Sequence, residues 1–180
     1  MQTVFPRCFS IKAKDDITIK KSSSGGFFTV IATKVLEQGG VVYGAMFDEE
    51  FHVIHKGIDK IDDLHKLRGS KYVQSKIGDT FSEVKREIKA NRLVLFTGTS
   101  CQISGLSLYL GDTYPNLITA DIICHGVPTP KLWDEYLKYH KAKSRAQIIG
   151  TSFRDKHHGW LNFSMVIEFE MGRYTEKSSG

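Results

Sequence analysis

Two runs rich in apolar residues, RLVLF (Arg92–Phe96) and NLITADII (Asn116–Ile123), set the tightest limit on what this chain can fold into. A strand with one wet face alternates apolar and polar side chains. A run without alternation has to be covered on both faces, as in a parallel sheet flanked by helices. Each run leads through a turn of small polar residues, TGTSCQ or CHGVPT, into a helix-like stretch, ISGLSLYL or PKLWDEYLKYH. A separation of roughly twenty residues between the runs suits a right-handed βαβ crossover. In the second helix Thr129 is a natural N-cap and Pro130 a natural first residue.

The rest of the chain fits around that unit. ITIK (Ile17–Lys20) reads as a short strand. Phe27, Ile31 and Val35, with Phe28, Ala32 and Leu36, recur at helical spacing and give a helix ended by Gly39 and Gly40. VVYGAMFD and FHVIHKG around the acidic DEE predict a hairpin. IDDLHKL predicts a small helix, and TFSEVKREIKA an amphipathic one opened by a Thr80–Glu83 capping box. AQIIGTSF and FSMVIEFEMG read as further strands. The fold class is therefore α/β or α+β, a mixed sheet with βαβ units in the later half and helices packed on it. A soft boundary near Asn91 divides an α+β region (1–90) from an α/β region (91–180).

At 41% hydrophobic and 25% charged residues the composition is globular. No apolar run approaches the roughly 20 residues that cross a bilayer, and MQTVFPRCFS lacks the apolar stretch of a signal peptide. The expectation is a cytoplasmic protein without a membrane span. The net charge of +5 is spread among acids. It fits a solvated surface first, then a phosphorylated cofactor or acidic partner, with no nucleic-acid motif present. Three cysteines, Cys8, Cys101 and Cys124, form no CxxC. They make no disulfide framework and do not supply the four thiolates of a standard iron–sulfur cluster.

Chemistry concentrates in a few stretches. Cys101 and Cys124 each follow the carboxyl end of an apolar run, where open parallel sheets hold ligands. Each reads either as half of a shared site or as a small buried hydrophobe. SSSGGFF (Ser22–Phe28) carries more hydroxyls and glycines than one helix cap requires. It reads as a helix start open to an anion, or as glycine needed for packing. In RGSKYVQS, Arg68 and Lys71 suit phosphates and Tyr72 a planar ring, or the segment is a solvated basic turn. His125 beside a thiol is a candidate acid/base, which leaves open a cysteine-nucleophile enzyme built on Cys101. FRDKHHGW (Phe153–Trp160) reads as a surface or partner-facing loop, with no metal-binding spacing.

SSSGGFFTVIATKVLEQGGVVYGAMFD, LRGSKYVQS, VLFTGTSCQISGL, DIICHGVPTPKLWDEYL and FRDKHHGW stand in the order seen in one family. The chain resembles the coenzyme F420 hydrogenase/dehydrogenase beta subunits, in their bacterial form, from about Phe5 to its end. The resemblance implies a flavin-dependent oxidoreductase subunit or fragment that passes electrons between an iron–sulfur cluster, FAD and an acceptor such as coenzyme F420. A non-catalytic electron-transfer or scaffold module that needs a partner is the alternative. It implies FAD contacts at Ser24, Gly25, Gly26, Lys71, Tyr72, Thr99, Cys101 and Gln102, with Cys101 and Cys124 as ligands of a 4Fe-4S cluster completed from outside this chain. It also implies a redox protein partner or further subunit. Ser100 stands where the family usually has proline, no ferredoxin-like segment precedes the first motif, and a cysteine pair normally follows the strand ending at TEKSSG. The expectation is a truncated piece.

Overall fold

The computed structural model describes residues 7–177, so the start of the resemblance near Phe5 and the closing SSG lie outside the described residues. A four-stranded sheet runs β2-β1-β3-β4, from β1 (Val41–Phe47), β2 (Val53–Ile58), β3 (Val94–Thr99) and β4 (Leu117–Ile122). β1 and β2 form the expected antiparallel hairpin, while β1, β3 and β4 are mutually parallel neighbours. The sheet thus takes two strands from each side of Asn91.

Strand β3 shows why its sequence lacks alternation. Leu95 points into a core with Ala32, Val35 and Leu36 of α2 (Phe27–Glu37) and Leu64 and Leu67 of α3 (Leu64–Leu67). Val94 and Phe96 point the other way, onto Val84 and Ile88 of α4 (Thr80–Lys89) and Leu106 and Leu110 of α5 (Ser100–Leu110). All three strand residues are fully buried. Each contributes about 1.5–3 kcal/mol of transfer free energy, and together they fix a helix–sheet–helix sandwich.

A second sheet, β5-β6-β7, is antiparallel: β5 (Ile148–Asp155), β6 (Ser164–Phe169) and β7 (Gly172–Lys177). It packs under α6 (Pro130–Ser144) through Trp133, Leu137, Ile167 and Phe169. The Trp133 indole N–H donates to the Phe51 carbonyl at 2.8 Å, joining this layer to the hairpin. Thr129 and Pro130 open α6 as read from the sequence. The chain is an α/β fold with a mixed sheet, as expected, and a separate antiparallel sheet beside it. Among the described residues no helix is long and apolar enough to cross a membrane.

Several local expectations are corrected. ITIK is not a strand but most of α1 (Asp16–Lys20). The Asp15 carboxylate accepts from the Ile17 and Thr18 amides at 3.1 and 2.7 Å, and that cap overrides the β-branched composition. The Thr80–Glu83 capping box does not form, because the Thr80 hydroxyl donates to the His55 and Ile77 carbonyls. Helix α5 starts at Ser100, earlier than the apolar pattern indicates, where Gln102 Oε1 accepts from the Thr99 amide at 3.0 Å. FRDKHHGW is only partly a loop, since Phe153, Arg154 and Asp155 end β5.

Candidate functional site

A cleft of about 420 Å³ opens beside the carboxyl end of β1, where Phe47 forms part of its wall. Its size falls within the roughly 300–1,000 Å³ of small-molecule sites. Three segments distant in sequence converge there, residues 20–23, 68–71 and 151–156. They bring Lys20, Lys21, Arg68, Lys71, Arg154 and Lys156 around one opening, against a single acid, Asp155. Among the described residues none of these six cations forms an ion pair with a carboxylate. Six cations against the one carboxylate of Asp155 leave the cleft with an excess of positive charge.

Hydrogen bonds hold the walls in place. The Ser70 amide and hydroxyl both donate to Ser23 Oγ at 3.0 Å, tying the second segment to the first. Arg68 Nε donates to Thr29 Oγ1 at 3.2 Å. The Lys156 ammonium donates to the Ser22 carbonyl and lies over the Trp160 indole, which ties the third segment to the first. Two buried polar atoms of β5, Thr151 Oγ1 and Arg154 Nε, lack a hydrogen-bond partner among the described residues. An unsatisfied buried polar group costs about 1–3 kcal/mol. A ligand with acceptor oxygens entering here would offset that cost.

Lys71 is the most unusual of the cations. Its Nζ donates to the carbonyls of Lys66 and Arg68 at 3.1 and 2.8 Å, and it sits 6.0 Å from the centre of the Phe47 ring. Burial without a carboxylate lowers its pKa from 10.5 to about 8.

Of the residues carried over from the sequence, Lys71 borders this cleft and the others do not. Tyr72 is exposed and packs edge-on against Phe153 at 5.8 Å. Ser24 is exposed beside the cleft-lining Ser22 and Ser23. Gly25 and Gly26 are closely packed against the Ile11–Ala13 segment, as the packing reading requires. A Cβ on Gly25 would lie 2.5 Å from the Ile11 carbonyl oxygen, and the Gly25 carbonyl accepts from the Ala13 amide at 2.7 Å. Gly26 is the N-cap of α2 at φ +84°, a left-handed conformation natural to glycine. No serine caps α2: the Ser22 hydroxyl donates to the Thr18 carbonyl and Ser23 accepts from Ser70. Lys20, Lys21, Arg154 and Lys156 were not foreseen. Their signals were the KK before the serines and the RDK of FRDKHHGW, but neither indicates the other as its neighbour.

The thiols occupy the same carboxyl edge, farther along the sheet. Thr99 and Ile122 are register partners on β3 and β4, so Cys101 and Cys124 each lie two residues past matched positions. Both are exposed. Cys101 Sγ is 3.1 Å from Thr99 Oγ1, and Cys124 Sγ accepts from the Gly126 amide at 3.3 Å. His125 is hydrogen-bonded to neither thiol among the described residues, so the structure does not assemble a cysteine–histidine pair. Among the described residues no three His, Cys, Asp or Glu side chains gather as metal ligands. The donor set present does not fit a cluster that takes four thiolates.

Gln102 is fully engaged inside the protein. Its Oε1 accepts from Thr99, and its Nε2 donates to Ser75 Oγ at 2.8 Å. Ser75 Oγ lies 3.0 Å from His55 Nδ1, and His55 Nε2 lies 2.8 Å from the Thr97 carbonyl. A carbonyl only accepts, so Nε2 carries the proton and Ser75 donates to Nδ1. Burial lowers the His55 pKa to about 4 and keeps the ring neutral, stacked on Phe96. The stretch from Arg68 to Ser75 is therefore a strap, bonded to the serine segment at one end and to the TSCQ turn at the other.

Models of the coenzyme F420 hydrogenase/dehydrogenase beta subunit match this sequence, the N-terminal model over residues 8–81 and the C-terminal model over 91–177. The chain belongs to that family. No curated protein matches it. Among solved structures it is similar to a chain in the xenon-derivatised F420-reducing [NiFe] hydrogenase complex from Methanosarcina barkeri. The two share 18% identity and a TM-score of 0.61, a likeness of fold. The match covers 92% of this chain and 58% of that one. In this beta-subunit-family chain the thiol edge lies just past the carboxyl ends of the parallel strands β3 and β4, where α/β sheets hold ligands, and the basic cleft borders the carboxyl end of β1 through Phe47.

Proposed function

We propose that this chain is the flavin-binding part of an electron-transfer oxidoreductase subunit, with the diphosphate of FAD held in the basic cleft. The observation that carries the reading is the set of six cations facing one opening with, among the described residues, no carboxylate paired to any of them. Arg68 and Arg154 offer planar forks for phosphate oxygens, Lys71 and Lys156 offer point charges, and Thr151 Oγ1 offers a buried hydroxyl. When bound, the flavin supplies the capacity to take electrons in pairs and release them singly. The residues of this chain neutralise its phosphates, exclude water along Phe47 and Phe153, and fix its orientation.

An iron–sulfur cluster has a narrower place in this reading. The three thiols of this sequence do not make a four-thiolate site, so a cluster takes at least one ligand from outside these residues. The electron acceptor, coenzyme F420 or another low-potential carrier, likewise comes from outside. The free thiols fit a cytoplasmic setting. Regions 1–90 and 91–180 act together, since the cleft draws on both. A fluorescence titration with FAD tests the proposal. Saturable binding that weakens with salt and is competed by inorganic pyrophosphate is expected. Absence of saturation, or binding indifferent to pyrophosphate, refutes it.

The incomplete thiol set also favours a second reading, an electron-transfer or scaffold module that functions only with its partner. Co-elution with a candidate hydrogenase or dehydrogenase subunit, without turnover by either alone, distinguishes it.

A further inference from the structure

Lys71 combines features that simple anion binding does not need. A cation meant only to attract phosphate does best exposed and fully charged. Lys71 is instead held back in the wall, its Nζ bonded to the Lys66 and Arg68 carbonyls. A neutral amine has two N–H groups, and those two carbonyls use both. That leaves its lone pair unengaged, whereas the third N–H of an ammonium would have only solvent and the distant face of Phe47, 6.0 Å away. Around it stand Arg68, Lys156, Lys20 and Lys21. The arrangement is a nucleophilic amine inside a phosphate-attracting cleft.

We propose that Lys71 is a site of covalent acylation by small acyl phosphates, whose phosphate the surrounding cations recruit and whose acyl group then removes the charge that the cleft uses to hold its ligand. The inference rests on the reading of the cleft as a phosphate site. In the step, the Lys71 amine attacks the carbonyl carbon of the acyl phosphate. A C–N bond forms, the C–O bond to phosphate breaks, inorganic phosphate leaves, and the amine proton passes to solvent. No oxidant or reductant is involved. The product is a neutral amide, so acylation turns the cleft's ligand binding down without unfolding anything.

The low basicity of Lys71 sets the expected preference. With a pKa of about 8, roughly a quarter of it is free amine at pH 7.5, against about one part in a thousand for an ordinary lysine. A weaker base is also a poorer nucleophile, which returns part of that gain. A net advantage of about tenfold is expected over exposed lysines unpaired among the described residues, such as Lys89 and Lys131.

The test treats the whole chain with acetyl phosphate at pH 7.5 and follows each lysine by mass spectrometry. Acetylation of Lys71 about tenfold faster than at the exposed Lys89 and Lys131, slowed selectively by inorganic pyrophosphate, supports the proposal. Lys71 modified no faster than those two overturns it. A parallel arm uses acetic anhydride, which carries no phosphate. A smaller preference for Lys71 there supports recruitment by the cations, and an equal preference overturns the acyl-phosphate class. An FAD titration on the same preparation separates the two readings. If Lys71 is acetylated first and protected by pyrophosphate while FAD does not bind, the acylation site stands and the flavin assignment falls.

Discussion

Replacing Lys71 by methionine should make the protein more stable and less able to bind its ligand, at the same time. Burial holds the folded-state pKa at about 8 against 10.5 for the unfolded chain. The folded state therefore binds this proton less tightly, which costs stability fully below pH 8 and not at all above about 10.5. A shift of about 2.5 units corresponds to roughly 3 kcal/mol at neutral pH. Methionine matches the length of the stem but gives up two hydrogen bonds to carbonyls, about 0.5–1.5 kcal/mol each. The net gain is about 1–2 kcal/mol at pH 7, which for a chain of this size raises Tm by roughly 2–8 °C. Thermal melts at pH 7 and pH 10.5 read the effect, with the gain at pH 7 turning into a small loss at pH 10.5. FAD binding should weaken at least about tenfold, one lost charge-assisted contact. A variant less stable than the parent at pH 7, or equally stabilised at both pH values, would refute the assignment of Lys71 as a desolvated, uncompensated cation.

Binding of an anion to the cleft should draw a proton onto Lys71. At pH 8 about half a proton is taken up per ligand, seen by calorimetry in buffers of different ionisation enthalpy, and the uptake vanishes at pH 6. His55, with its pKa lowered to about 4 from 6.5, makes the fold lose stability as pH falls from 6.5 towards 4, by up to about 3 kcal/mol. Urea melts at pH 7 and pH 5 should show this slope, and His55→Gln should flatten it. Gly25→Ala, which sets a Cβ 2.5 Å from the Ile11 oxygen, should cost about 1–3 kcal/mol and speed amide exchange at Ala13 while leaving the core strands protected.

How much of this was readable from the residues depended on how local the cause was. The central strand β3 was legible because Val94, Leu95 and Phe96 answer to two helix layers at once, whereas the second run, expected to be covered on both faces, forms the edge strand β4 with Ile122 exposed. Thr129 and Pro130 were legible because a helix start is decided within a few residues. ITIK misled because Asp15, outside the run, decides its conformation through its side chain. The serine–glycine stretch showed that something special occurs there, but its glycines answer to Ile11–Ala13, an approach that composition does not encode. The cleft was half legible. Arg68 and Lys71 stood out beside a turn, yet the opposite wall comes from Arg154 and Lys156, and the Lys156–Ser22 contact spans 134 residues. Nothing short of the register of the second sheet brings them together.

The wide sequence spread of the cleft walls bears on how the protein is made. A nascent chain halted before β5 would carry the lysine pair, the serines and the strap, but one side of the slot would still be within the ribosome. A ligand of this cleft thus has to wait for β5 to emerge and pair. Until β5 is in place the growing polypeptide carries four of the six cations, Lys20, Lys21, Arg68 and Lys71, without the wall that faces them, and the pairing of β5 with β6 completes the slot.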